Sequence, residues 1–168
     1  MLYPTKLFGE IAVEETNIIK VERGIFGFEQ LKRYAVIAAD PETPLFWLQS
    51  LEEPQLAFVI VNPFIIIDEY EPEIRPADLA ELEIEDRADV IFMAIVTLRE
   101  NYLETTANLR APIIINRKNL QAKQVVLDDL TFQIQYNMIA NISDEREAAE
   151  DCQKMKDELA RISCSPVL

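Results

Sequence analysis

The sequence predicts a mainly β fold, a compact antiparallel β-barrel-like domain with one short helix and a C-terminal helical extension. Short apolar or alternating segments recur through most of the chain, and Pro, Gly, Asp and Glu separate them. Only the last residues carry a helical apolar stripe. With 168 residues, 49% of them hydrophobic, the chain is long enough for one sizeable core. We therefore expect a barrel domain over residues 1–141 and an extension over residues 142–168.

The first half of the chain is predicted to be all β. Five short apolar or alternating segments are expected to form strands, at residues 7–13, 17–21, 34–39, 45–50 and 57–61. Prolines follow the later segments and break the pattern, because proline has no N–H to donate to a ladder and restrains the residue before it.

The middle of the chain is predicted to hold one short helix and then a central strand. Pro76 suits the first position of a helix over residues 76–82, and Asp78 with Glu81 is expected to form a capping pair there. Residues 90–98 are apolar on both alternating faces, which is typical of a strand that is covered on each side.

The remaining β elements are predicted as a hairpin and a half-buried strand. Residues 112–116 and 124–127 flank a turn at residues 117–119. Over residues 130–138 apolar and polar side chains alternate, and this period of two predicts a strand with one wet face.

The sequence of the C-terminal extension predicts an amphipathic helix that begins at Ser143 and has acidic residues in its first turn. Its apolar stripe is narrow and consists of Ala148, Cys152, Met155, Leu159 and Ile162. Because an isolated helix of this length is marginal in water, we expect it to dock. The sequence leaves open whether this helix docks on its own barrel, on a second subunit or on a partner helix.

Composition argues against several classes of protein. The chain has no histidine, which removes the commonest general base and nearly every catalytic zinc site. The only glycines are Gly9, Gly24 and Gly27, too few for a phosphate-binding or dinucleotide-binding loop. The only cysteines, Cys152 and Cys164, provide no disulfide framework, and the apolar runs are too short to span a bilayer. We expect no cofactor, no metal, no membrane association and a cytoplasmic location.

Charge favours a protein partner. The net charge of -14 would repel nucleic-acid backbones, so direct nucleic-acid binding is not expected. Residues 68–89 contain ten acids and two bases. This stretch is either a solvated face or a docking surface that steers a basic protein towards it. Asp128 and Asp129 would extend such a surface if the fold brings them near it.

A strand end followed by an acidic loop offers both an apolar anchor and steering charge. The candidate partner-binding residues in this region are Asn62, Phe64, Asp68, Glu69, Tyr70 and Glu71. Two alternatives stay open. One is a hydrolase that uses paired acids in a deep pocket, and the other is a structural or oligomerisation module built on the C-terminal stripe.

Three segments resemble the family of flagellar assembly factors called FliW. They are Gly24-Ile-Phe-Gly-Phe-Glu29, residues 53–64, and residues 105–116 with 123–127, and they occur in the family's order between about residues 8 and 138. In the first segment, Gly24 and Gly27 permit a tight turn that is expected to place Phe26 and Phe28 against the core. The chain departs from the family pattern at Phe26, where the family often has proline, and at residues 120–122 of the predicted hairpin, which lack an expected glycine.

The resemblance implies a function without catalysis. Members of this family bind the RNA-binding translational regulator CsrA and relieve its repression of flagellin mRNA, and they bind flagellin as an alternate partner. The two equilibria are linked, since whichever protein is bound lowers the amount of free factor left for the other. The resemblance further implies that RNA release is allosteric and non-competitive. It gives no role to the extension and leaves the oligomeric state open.

Overall fold

The computed structural model describes residues 1–38, 40, 42–139 and 162–164 of the chain. Its strands, numbered in chain order, are β1 (Leu2–Thr5), β2 (Gly9–Ala12), β3 (Ile19–Val21), β4 (Arg33–Ile37), β5 (Phe46–Ser50), β6 (Ala57–Val61), β7 (Val90–Thr97), β8 (Thr106–Ala107), β9 (Ile113–Asn116), β10 (Gln121–Gln124), β11 (Tyr136–Asn137) and β12 (Ser163–Cys164). The described residues include one α-helix, α1 (Pro76–Glu81), and short 3-10 helices at Glu15–Asn17, Pro63–Ile65, Arg87–Asp89 and Tyr102–Glu104.

Seven of these strands close into a barrel. Strands β3 to β7 pair in sequence order, β7 also pairs with β9, and β9 pairs with β10, all antiparallel. The ring closes where β10 pairs in parallel with β3, with Gln121 opposite Lys20 and Ala122 opposite Val21. The prediction of a mainly β barrel with one short helix is therefore confirmed, with a single parallel pair in the ring.

The barrel interior is one apolar cluster to which all seven strands contribute. Its fully buried side chains include Ile19, Tyr34, Ile60, Met93 and Ile113. The central strand predicted near residues 90–98 is confirmed as β7, which pairs with β6 at one edge and with β8 and β9 at the other.

Two further apolar clusters lie on the outside of the barrel. The β1–β2 hairpin covers β4, where Tyr3 and Ile11 pack against Ala35 and Ile37. The segments that follow β6 and β10 cover the outer faces of β6, β7 and β9 and form the larger outer cluster. Trp47 is half-buried and packs against both outer clusters.

The strand predicted at residues 130–138 is wrong over most of its length. Only Tyr136 and Asn137 pair with a neighbour, the short strand β8. Leu130 and Ile134 are 73% and 58% exposed, whereas Met138 is buried, so the apolar side chains of the pattern do not form one continuous buried face. The alternation is present in the sequence, but this segment has no long neighbouring strand against which a ladder could form.

The second hairpin strand lies earlier than predicted. The turn after β9 is tight, because Leu120 N–H donates to Asn116 O at 2.8 Å and β10 begins at once at Gln121. Leu120 adopts a left-handed backbone with φ 55°, which explains why a glycine is expected there. Its side chain is buried in the barrel interior, and this burial offsets the backbone cost.

The glycine turn places only one of its two phenylalanines against the core. Gly24 is required, since a Cβ on it would lie 2.5 Å from Glu29 Cα, and its φ is 69°. Phe28 contacts Phe58 edge to face with ring centroids 5.3 Å apart. Phe26, by contrast, is 53% exposed, so its predicted burial is wrong.

The predicted C-terminal helix from Ser143 to residue 161 lies outside the described residues, as do Cys152 and the other stripe residues before Ile162. The division of the chain at residues 141 and 142 therefore stays a prediction. Strand β12, which the sequence pattern did not indicate, pairs in parallel with β4.

Helix α1 has the predicted position, but its predicted cap is wrong. Arg75 is the N-cap residue and makes no side-chain cap, because a guanidinium has no acceptor atom. Asp78 and Glu81 form ion pairs with basic side chains. The helix ends in a Schellman motif, in which Ile84 N–H donates to Leu79 O and Glu83 N–H donates to Ala80 O. Glu83 occupies the left-handed position of this motif with φ 57°, where glycine is favoured.

Replacing Glu83 with glycine is therefore expected to stabilise the fold. The change removes the cost of a side chain in the left-handed region, about 1 kcal/mol, and loses only an exposed contact from Asn119. Thermal unfolding should show a midpoint raised by roughly 2–4 °C. Glu85→Gly is the matched control, because Glu85 is exposed and has no positive φ, and it should not stabilise. A midpoint unchanged or lowered in Glu83→Gly would contradict this account.

Candidate functional site

An open groove of about 1330 Å³ lies on the outside of the barrel, where the segment after β6 meets the segment after β10. Its walls are formed by Phe64, Asp68, Glu69, Tyr70, Glu71, Glu73, Ile74, Arg75, Pro76, Arg87, Leu127, Asp128, Asp129, Thr131 and Phe132. The fold therefore brings five of the six candidate residues into one groove, and only Asn62 is absent from its walls.

Asn62 directly precedes the groove residues in the chain and caps the turn that leads to Phe64. The residue is buried, and its side-chain Oδ1 accepts a hydrogen bond from Phe64 N–H at 2.7 Å. This bond caps the 3-10 helix Pro63–Ile65, with Pro63 at the first helical position. The turn leaves the Phe64 ring 40% exposed at the groove.

Tyr70 forms the floor of the groove. Its ring is buried between Phe64 and Phe132, with centroids 5.3 and 4.9 Å away. Its hydroxyl donates to Leu109 O at 2.8 Å, and burial raises the pKa of this phenol well above its ordinary value. Phe92 on β7 contacts the Phe64 ring edge to face at 5.5 Å, so the floor is anchored to the barrel wall.

Six exposed acidic residues surround this aromatic floor. Four of them, Asp68, Glu69, Glu71 and Glu73, come from the segment after β6. Asp128 and Asp129 come from the segment after β10, so the fold meets the condition under which this pair extends the acidic stretch. Hydrogen bonds from Thr131 hold the pKa of Asp129 below its ordinary value.

The two basic residues in the groove walls are both engaged locally. Arg75 Nε lies 3.0 Å from Asp78 Oδ2, and Arg87 donates to Pro72 O at 2.9 Å. Within the described part of the chain, none of the six groove carboxylates lies within 4.0 Å of a basic nitrogen. The groove therefore carries a negative field with little local compensation.

The other acidic residues near α1 are mostly paired. Lys123 Nζ lies 2.7 Å from Asp78 Oδ1 and 2.6 Å from Glu81 Oε2, and Arg23 Nε lies 2.6 Å from Glu81 Oε1. Burial alone would raise the pKa of Asp78, but the hydrogen bonds from Lys123 and Arg75 outweigh it and hold this pKa below its ordinary value. These ion pairs join α1 to β10 and to the turn after β3.

The groove has the geometry of a docking surface. Its carboxylates are exposed and lack the enclosure in which one acid of a hydrolytic pair is kept protonated. Among the residues that the structure describes, no group of three or more Cys, Asp or Glu side chains is placed to hold a metal ion. In the same residues, no helix has the length and apolar character to cross a membrane.

Sequence reasoning missed several residues of the groove. Glu73, Arg75 and Arg87 lie within the acidic stretch of residues 68–89, and the charge density of that stretch is the signal that could have indicated them. The alternating pattern predicts a strand at Phe132, and no local pattern indicates that its ring contacts Tyr70.

Comparisons of this chain with known proteins all identify one family. The model of the FliW protein family matches residues 3–138. The flagellar assembly factor FliW of Syntrophus aciditrophicus is 44% identical over 141 residues, which cover 84% of this chain and 89% of that protein. The FliW of Bacillus velezensis is 41% identical over 136 residues, which cover 81% of this chain and 95% of that protein.

A solved structure supports the same assignment. The crystal structure of a flagellar assembly factor FliW superposes with a TM-score of 0.77 at 34% identity, covering 82% of this chain and 96% of that chain. The family model spans more than half of the chain, and the relatives exceed 30% identity over most of their length. The chain therefore belongs to the FliW family of flagellar assembly factors.

Proposed function

We propose that this flagellar assembly factor acts in the cytoplasm, without catalysis, by binding the translational regulator CsrA and relieving its repression of flagellin mRNA. Flagellin is the alternate partner, and its secretion frees the factor to bind CsrA. The observation that carries the proposal is the groove itself, an exposed aromatic edge among six exposed carboxylates that form no ion pair within the described part of the chain. A protein that binds RNA has a basic surface, which complements this field.

The groove residues divide into two roles. Phe64, Asp68, Glu69 and Glu71 are exposed and form the contact surface. The exposed Phe64 edge provides apolar contact, and the carboxylates speed encounter with a basic partner more than they deepen affinity. Asn62 and Tyr70 are buried and position the contact residues.

Partner exchange follows from linked binding. Flagellin and CsrA draw on the same pool of free factor, so occupation by one raises the apparent dissociation constant for the other. This regulation requires no chemical step, only two partners that compete for the factor or bind forms of it that exclude each other.

Reversing the charge on one wall of the groove is expected to weaken CsrA binding. The triple variant Asp68→Lys, Glu69→Lys and Glu71→Lys replaces three exposed carboxylates with ammonium groups, so the field repels a basic partner. Titration calorimetry or a pull-down with purified CsrA at low salt should show affinity lower by about tenfold or more. Thermal stability should stay nearly unchanged, since none of the three carboxylates is in an ion pair in the described part of the chain.

The matched control carries the same change of charge elsewhere. Glu10→Lys, Glu14→Lys and Glu22→Lys alter three exposed acids that do not line the groove. This control should lose much less affinity than the groove variant. Equal binding by the two triple variants would remove the groove from the proposal.

A second comparison separates contact residues from supporting ones. Tyr70→Phe leaves Leu109 O without its buried donor and should lower the free energy of unfolding by about 1–2 kcal/mol, while the folded variant still binds CsrA nearly as tightly as the parent. Phe64→Ala removes the exposed ring edge and should weaken CsrA binding several-fold in the folded protein. Denaturant unfolding and calorimetry on both variants test this. Weak binding in Tyr70→Phe with parental binding in Phe64→Ala would contradict the assigned roles.

A further inference from the structure

Half-buried apolar side chains lie at one end of the barrel, the exposed end, at which β3, β5, β7 and β10 finish and β4, β6 and β9 begin. Among the described residues, the apolar side chains that pack against the interior cluster without being fully buried are all at this end, and they are Leu31, Phe58, Ile95 and Ile162. At the opposite end, the interior side chains of Phe46, Ile91 and Leu120 are buried. The described residues therefore cover the interior cluster fully at one end and incompletely at the other.

Exposed apolar side chains surround the exposed end. Leu98, Tyr102 and Leu103 follow β7, and all three are exposed. Phe26, in the turn after β3, is exposed as well. Asn137 Nδ2 donates to Leu103 O at 2.9 Å, so β11 contacts this rim shortly before the described chain stops at residue 139. Exposed apolar residues concentrated in one region are typical of a surface on which another element docks.

Residues 140–161, which lie outside the described part of the chain, connect two points at this same end. Strand β11 runs towards it, parallel to β7, and β12 starts from it, because β12 is parallel to β4. The path along the sheet from β11 to β4 has five strand spacings, or about 24 Å at ~4.8 Å each. A helix over residues 143–161 would be about 28 Å long at ~1.5 Å per residue. The segment is therefore long enough to cross from one point to the other.

Ile162 indicates which face of the segment meets the barrel. It is the last member of the apolar stripe that begins at Ala148, and its side chain packs against the interior cluster. Members of a helical stripe share one face of the helix, so the rest of the stripe is directed to the side that Ile162 contacts. The charged residues between them then face solvent.

We propose that residues 143–161 form an amphipathic helix whose apolar stripe docks on the exposed end of the same barrel, over the half-buried side chains of the interior cluster. The occupant of this surface is thus the segment that follows the family domain, since the family model ends at residue 138. Burial of the stripe supplies the tertiary contact that a helix of this length needs in water. The groove lies on the outer wall of the barrel, so this proposal does not depend on the one for CsrA binding.

A nitroxide label on the polar face of the segment tests the docking by NMR. The label is attached to the full-length chain through Gln153→Cys, and Cys152→Ala with Cys164→Ser removes the native thiols. Position 153 is about 100° round the helix from position 152, so the label does not occupy the stripe. Because paramagnetic broadening falls steeply with distance, the amide signals of Leu31, Phe58 and Ile95 should lose most of their intensity. The signals of residues 46, 91 and 120, at the opposite end, should keep most of theirs.

Two double variants of the labelled chain show whether the stripe is responsible. Met155→Ser with Leu159→Ser removes two apolar side chains of the stripe and should restore the signals at the exposed end. Lys154→Ser with Asp157→Ser is the matched control, because it changes two polar-face residues and leaves the net charge the same. This control should keep the broadening.

A mixture identifies the molecule that receives the segment. Labelled chain without isotope enrichment is added to isotope-enriched chain without a label, and the proposal requires that the enriched signals stay sharp. Broadening in the mixture would assign the docking to a second copy and overturn the proposal. It would also be overturned by unbroadened signals at the exposed end of the labelled chain, by broadening at the opposite end, or by equal effects of the two double variants. None of these results would affect the proposal for the groove.

Discussion

Closure of the barrel is the constraint on which the rest of the structure depends. Its strands are short, and strands of this length are stable only when each has neighbours and a shared core. The ring gives every strand two neighbours, but it closes only if the chain turns sharply after β9 and places β10 beside β3. Asn116 holds that turn, because its side chain accepts from Lys118 N–H and donates to Leu82 O at 2.8 Å. The end of α1 is thereby fixed to the closing hairpin.

The same hairpin determines where charge is neutralised. Lys123 on β10 lies between Asp78 and Glu81 of α1, so closing the ring brings a cation to two acids of the acidic stretch. Within the described residues, the acids before α1 form no ion pair, and they line the groove. One stretch of sequence therefore supplies both an ion-pair network that fixes the helix and a set of exposed carboxylates that faces solvent.

Sequence alone predicted the elements whose signal is local. Strand β6 has the predicted bounds, and α1 starts at the predicted Pro76, because Asn62-Pro63 and Pro76 act through their own backbone restraints. The predictions that failed concern residues whose structure depends on contacts with distant parts of the chain. Residues 130–138 alternate correctly but have no long partner strand. Of the candidate site, the acidic residues and Phe64 were predictable from charge and strand ending, whereas the burial of Asn62 and Tyr70 depends on contacts that only the fold creates.

The division between buried and exposed groups explains how a surface with so much charge retains a defined shape. Mutual repulsion among six carboxylates would favour separation of the two segments that carry them. The aromatic cluster below opposes this, since Tyr70 contacts both Phe64 and Phe132 and its hydroxyl is bonded to Leu109. Apolar packing and one buried hydrogen bond hold the segments together, so the carboxylates keep their spacing without an ion pair to any basic side chain of the described residues. For the basic partner that we propose, entry into the groove would relieve this repulsion, and binding would need no rearrangement of the floor.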